Sequence, residues 1–208
     1  MQEILLSPAQ AKNLSALYQA MEERYTAVAT EIGLSCAGCP DNCCDSYFLH
    51  YTYAEWAYLW AGLRALDEVL LARIIDRARH YLAESKALLA RGERPQLLCP
   101  LNEDGLCALY SHRLMICRLH GIPAAMTRPD GQTLRFPGCF RCQEIVQAKY
   151  AGESDTPKMN RTDLLARVAE LESELLRGRR HLYPKVKRTI AEMIAGGPPR
   201  IDKPFCER

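Results

Sequence analysis

Ten cysteines in 208 residues constrain this chain more than any other feature of it. Nine fall into three groups: Cys36, Cys39, Cys43 and Cys44; then Cys99, Cys107 and Cys117; then Cys139 and Cys142. Cys206 stands apart from them. Two cysteines separated by two residues present both sulfurs on one side of a tight turn, so the pair can grip one metal ion. A single pair of this kind also occurs in redox motifs. Here two such pairs, one adjacent pair and three further cysteines lie in stretches broken by Pro and Gly. None falls on the apolar face of a long amphipathic helix, where a cysteine used as a small hydrophobe would pack. The nine therefore read as metal ligands.

The alternative, a disulfide framework, finds little support. Apolar residues make up 48% and charged residues 25% of the chain, the balance of an ordinary globular protein whose core needs no covalent staples. The opening MQEILLSPAQ has no basic segment followed by an apolar one, and no apolar run approaches the ~20 residues that cross a bilayer. The expected compartment is the cytoplasm, with no membrane partner, and there thiols stay reduced.

The net charge of +2 is too small to point to nucleic acid. Charge is unevenly spread: residues 158–208 carry 12 Lys and Arg against 7 Asp and Glu, and the rest carries 15 against 18. The basic stretch reads first as a solvated helical face, with an unidentified protein partner as the other reading.

Helical periodicity places the cysteine groups between helices. Ser7 and Pro8 suit the N-cap and first position of a helix whose apolar residues Leu14, Leu17, Tyr18, Met21, Tyr25, Val28 and Ile32 share one face. Gly33 ends it. The segment CAGCPDNCCD is rich in turn formers and should be irregular. Thr52-Tyr-Ala-Glu55 reads as a capping box opening a helix through Trp56, Leu59, Trp60 and Leu63. A long helix is expected from about Asp67 to Arg91, with Val69, Leu70, Ile74, Ile75, Ala78, Tyr81, Leu82, Leu88 and Leu89 on its apolar side and Gly92 as its stop.

From Pro95 to Gly138 the chain is broken, with turns at 102–105 and 129–131 and a short strand at 133–136. A helix should follow Cys142 and run to about Tyr150. Two more helices are expected at 162–180 and 184–195, before a Pro- and Gly-rich tail that is loose or draped on the surface. The fold class is thus mostly α, a helical scaffold around irregular cysteine-rich metal-binding loops. The expected organisation is a helical domain with the metal site over 1–150 and a C-terminal helical segment with a flexible tail over 158–208.

Nine cysteines exceed one tetrahedral set. Neighbouring residues in extended chain point opposite ways, so Cys43 and Cys44 can serve different sites. Two sites, one site with surplus cysteines, and a polynuclear cluster all remain open, because chain order does not give the pairing. All-thiolate sites suit both zinc and iron–sulfur clusters. The surplus of cysteines leans toward the cluster.

These segments resemble the YkgJ-like cysteine-cluster family, described as a zinc- or iron-chelating CxxCxxCC domain. The resemblance lies in CAGCPDNCCD at 36–45, CPLNEDGLCALYSHRLMICRLHG at 99–121 and GCFRC at 138–142. Cys99-Pro100, Gly105, Cys107, Tyr110, Arg113, Cys117 and Arg118 follow the family's second motif, with Leu114 where the family usually has Pro. The resemblance covers about 36–142 and implies metal chelation, zinc or iron. It extends distantly to flagellin lysine methylases, which implies an alternative, an iron–sulfur-dependent enzyme modifying a protein side chain. No glycine-rich loop for S-adenosylmethionine is visible. A third reading is an interaction module whose loops zinc merely organises.

Arg118 and Arg113 lie beside Cys117 and are candidates to balance thiolate charge or hold an anionic cofactor. His120 is a candidate replacement ligand, read first as a loop hydrogen-bonder, and His112 is read as a surface residue. Tyr47, His50, Tyr51, Tyr53, Trp56, Tyr58 and Trp60 form an aromatic-rich stretch, read as helix core before cluster shielding. No Ser–His–Asp set, phosphate loop or carboxylate pair is recognisable, so no catalytic residue is assigned.

Overall fold

The computed structural model describes residues 2–37, 39, 43–152 and 154–201. Cys206, with the rest of 202–208, lies outside them. The protein is mostly α: the described residues hold seven α-helices and only short strands. The chain folds into two compact units, each assembled from separate stretches: 1–11, 42–114 and 172–208 make the first, and 12–41 with 115–171 make the second.

The first unit is built on α2 (Tyr53–Leu63), α3 (Glu68–Ala90) and α7 (Ile190–Ala195). Its core joins Tyr53, Trp56, Leu59 and Leu63 of α2 to Ile74, Ala78 and Tyr81 of α3 and Ala191, Met193 and Ile194 of α7. Each fully buried aliphatic side chain contributes about 1.5–3 kcal/mol over an exposed one. The aromatic stretch read as core is core at Tyr53, Trp56 and Tyr58, whereas Tyr51 is exposed. Trp56 and Trp60 both donate their indole N–H to Met193 O, at 3.1 and 2.9 Å, so the aromatic rings are buried with their polar atoms satisfied.

The N-terminus of α2 departs from the expected box. Thr52 Oγ1 accepts from Glu55 N at 3.2 Å and donates to Glu55 Oε2 at 2.9 Å. The amides of Tyr53 and Ala54 are taken by a distant carboxylate, Glu172, at 3.0 and 2.9 Å. Burial pushes the Glu172 carboxyl above its usual range, while those two amides and Arg180 pull the other way. The complete capping box lies elsewhere, at Thr189 and Glu192.

In α3 the buried stripe is Ile74, Ala78, Tyr81 and Ser85, narrower than the expected face. Val69 and Leu89, assigned to the apolar side, are exposed. The strands β1 (Gln2–Glu3) and β7 (Arg200–Ile201) pair antiparallel, so the region expected to be loose is tied down as far as Ile201. Gly197 O accepts the Trp56 indole at 2.9 Å, and Pro199 O accepts Ile4 N at 2.8 Å. The helix expected at 184–195 is only α7. Ahead of it lie a 3-10 turn at Arg180–Leu182 and an antiparallel bridge between Arg188 and His50.

The second unit takes most of α1 (Pro8–Ile32), with α4 (Met115–Leu119), α5 (Phe140–Lys149) and most of α6 (Thr162–Leu175). It also holds a three-stranded sheet in the order β5-β4-β6, where β4 is Ala124–Thr127, β5 Thr133–Phe136 and β6 Met159–Asn160. The strand expected at 133–136 is β5, and it pairs antiparallel with β4, for which the sequence carries no strand signal of its own. Ser7 Oγ accepts Gln10 N at 3.2 Å to start α1, and Gly33, at φ 81, ends it in the left-handed region. Lys149 Nζ donates to Ile32 O at 2.6 Å, satisfying a terminal carbonyl of α1 with a cation. Arg24 on α1 makes a two-pronged ion pair with Asp163 at the start of α6, at 2.6 and 2.5 Å. The helix α6 stops at Leu175, short of the expected 180, because Arg177 and Gly178 turn left-handed at φ 52 and 72.

Candidate metal centre

None of the nine described cysteines is in a disulfide. Cys43, Cys44, Cys99 and Cys107 belong to the first unit; Cys36, Cys39, Cys117, Cys139 and Cys142 belong to the second. The first sequence group is thus shared between the two units.

In the first unit, Cys43–Asp45 form one turn of 3-10 helix. Cys99 N donates to Cys44 O at 2.8 Å, which joins the first cysteine group to the second through the backbone. Cys99 then leads into a hairpin in which β2 (Asn102–Glu103) pairs with β3 (Leu106–Cys107). Cys107 faces Asn102 across that hairpin. The turn is built by Asp104 at φ 48 and Gly105 at φ 88, and Asn102 Oδ1 accepts Gly105 N at 3.0 Å. The expected turn at 102–105 is therefore the device that returns Cys107 toward Cys99. Tyr81 lies close enough to Cys99 for the thiol to bear on its hydroxyl, whose pKa burial already raises.

In the second unit, Cys36 and Cys39 flank a turn in which Cys39 N donates to Cys36 O at 3.2 Å. Cys139 is the N-cap of α5 and makes no side-chain capping bond, so its sulfur is not spent on the helix amides. Cys142 lies in the first turn, which corrects the expectation that this helix starts after it. Cys142 is fully buried. Burial first, and the neighbouring Cys139 second, push its thiol up to about 11. Cys117 sits on α4, half-buried.

A tyrosine and two glycines tie the CxxC pairs together. Tyr25 Oη lies 4.0 Å from Cys36 Sγ. A Cβ on Gly121, at φ +117, would stand 2.6 Å from the same Oη. Gly121 O accepts Cys139 N at 3.1 Å. A Cβ on Gly138, at φ +89, would stand 2.7 Å from Gly121 O and 3.1 Å from Cys142 Sγ. Neither glycine tolerates a side chain without displacing this packing. In the sequence Tyr25 reads only as an apolar position of the first helix. The signal it carried was its hydroxyl, which a purely buried position has no use for.

The candidate charge-balancing arginines are engaged locally. The Arg118 guanidinium stacks 4.7 Å from the Tyr18 ring centre and reaches Glu22 Oε2 at 3.4 Å, with its side chain 7% exposed. Arg113 stacks 4.9 Å from the Tyr110 ring centre. Leu114, in the position where the resembled family has Pro, is fully buried in the first unit's core. His120 is half-buried, and burial lowers its pKa. His112 is not a surface residue: its ring lies 4.5 Å from that of Tyr58 and beneath Gly62.

Among the described residues, no three His, Cys, Asp or Glu side chains converge as a ready-made metal cage. The donor chemistry nonetheless fits a thiophilic metal. A metal ion bound by several thiolates would release their protons, and its binding energy would be available to close the loops. The second unit also has a cavity of about 610 Å3 lined by Arg135, Gln143, Val146, Tyr150, Thr156 and Lys158 among others, with no cysteine in its wall. Among the described residues no helix is long and apolar enough to cross a membrane. Comparisons with protein-family models, with curated proteins and with solved structures find no match for this chain.

Proposed function

We propose that this is a metal-binding protein of the YkgJ-like kind, holding an iron–sulfur cluster or zinc through its clustered cysteines in the reducing cytoplasm. One observation carries the reading: the nine described cysteines, none in a disulfide, lie in loops, a 3-10 turn, a hairpin, the short helix α4 and the start of α5 rather than on the buried stripes of the long helices. Supporting it are the backbone bond between Cys99 and Cys44 and the packing of both CxxC pairs around Tyr25 and Gly121. Structural cysteines used as hydrophobes would be inert and fully buried, and among the described cysteines only Cys142 is buried to that degree.

The test is composition. The full chain, purified without oxygen, is expected to carry stoichiometric metal. Iron with acid-labile sulfide and a brown colour identifies the cluster; a colourless zinc protein identifies the structural ion. A folded chain free of both ends the reading.

A further inference from the structure

We infer that Cys36, Cys39, Cys139 and Cys142 form one four-thiolate centre of their own, taking a zinc ion or an iron centre independently of Cys99 and Cys107. The inference rests on the metal-binding reading above and assigns its ligands. All four residues belong to one compact unit, and Cys99 and Cys107 to the other.

Each half of the set is a CxxC pair held on a turn. Cys36 and Cys39 are closed by the Cys39 N to Cys36 O bond. Cys139 and Cys142 straddle the start of α5, Cys139 as its N-cap with no side-chain capping bond and Cys142 in its first turn. Two such pairs supply the four sulfurs that a closed tetrahedral site needs, with none left over. Cys117 belongs to neither CxxC pair.

The two pairs are 100 residues apart in sequence, yet one continuous packing path joins them. It runs from Cys36 Sγ to Tyr25 Oη, on to Gly121, and from the Gly121 carbonyl to the amide of Cys139. Gly121 and Gly138 are the places where a side chain would push the pairs apart. Left-handed backbone at both positions, together with the absence of a Cβ, is what this close approach requires. No three ligand side chains among the described residues already converge, so metal binding would draw the two pairs together along this path.

The experiment uses the full-length chain, purified without oxygen, and counts metal and sulfide in paired variants. Cys36→Ser with Cys39→Ser is expected to remove the same centre as Cys139→Ser with Cys142→Ser, with the same change in absorption. The quadruple variant removes no more metal than either pair. Cys99→Ser with Cys107→Ser leaves that centre in place. Additive losses from the two CxxC pairs, or loss of the same centre in the Cys99 and Cys107 variant, would overturn the assignment while leaving the metal reading standing. Wild-type protein without metal would overturn both.

Because serine variants can fail to fold, the same question is put to the wild type by alkylation during stepwise chelation. Cys36, Cys39, Cys139 and Cys142 are expected to become reactive together. Release of either pair in step with Cys99 and Cys107, or of the two pairs at different chelator concentrations, would overturn it.

Discussion

His50 shows what a single buried side chain does to this protein. It is 1% exposed, and neither ring nitrogen has a hydrogen-bond partner. Burial lowers its pKa from the usual 6.5 to about 4. The unfolded chain therefore takes up this proton at a higher pH than the folded one. The folded state is fully favoured above about 6.5, and stability falls as the pH drops from there toward 4, by up to about 3 kcal/mol. His50→Phe keeps the ring shape and removes both orphan nitrogens. It should leave stability at pH 7 unchanged or raised and flatten the acid limb of a urea-midpoint-against-pH curve. An unchanged acid limb would refute this role for His50. Gly62 poses the opposite problem. A Cβ there would lie 2.5 Å from His112 Cγ. Overpacking costs roughly 1–3 kcal/mol, and the helix propensity gained over glycine returns about 1. Gly62→Ala should thus destabilise by about 1 kcal/mol in urea denaturation, and by less in a His112→Ala background. The roles of the two histidines are not legible from their neighbours in sequence, since His50 reads as one more member of an aromatic run and His112 as a surface residue.

At the scale of elements, most helices were legible and most of their ends were not. Ser7-Pro8, Asp67 and the glycines at 33 and 92 are local signals, and α1 and α3 start and stop where those signals say. The N-terminus of α2 depends on Glu172, 119 residues from Tyr53, which no local pattern reveals. Glu172 occupies a seam position of α6 between Val168 and Leu176, where an apolar residue would be expected from periodicity. Glu172→Ala should cost about 1–3 kcal/mol, because it strands two buried helix amides. Glu172→Gln, which keeps one acceptor, should recover part of that; equal losses in the two variants would contradict the capping role. The early start of α5 matters more for the site, since it puts Cys139 and Cys142 on a helix start instead of in a loop. Gly138→Ala should displace Cys142 against the Gly121 carbonyl and lower metal content per folded chain, as measured by metal analysis beside circular dichroism. A fully loaded Gly138→Ala variant would show that the close approach is not needed.

For the whole molecule, the mostly α class followed from periodicity, because long amphipathic helices announce themselves over many turns. The interleaving of stretches into two units did not, because it depends on contacts between residues far apart in the chain. The cysteine groups are visible as groups in the sequence, but their sorting is not: Cys36 and Cys39 belong to one compact unit and Cys43 and Cys44 to the other. The central claim is sulfur ligation of a metal, and X-ray absorption at the metal edge of anaerobically purified full-length protein reads it directly. The account predicts a scattering shell of sulfur alone, at about 2.3 Å for zinc, with added iron–iron scattering if the centre is a cluster. A metal surrounded only by nitrogen or oxygen, or a folded chain with no bound metal, would contradict it.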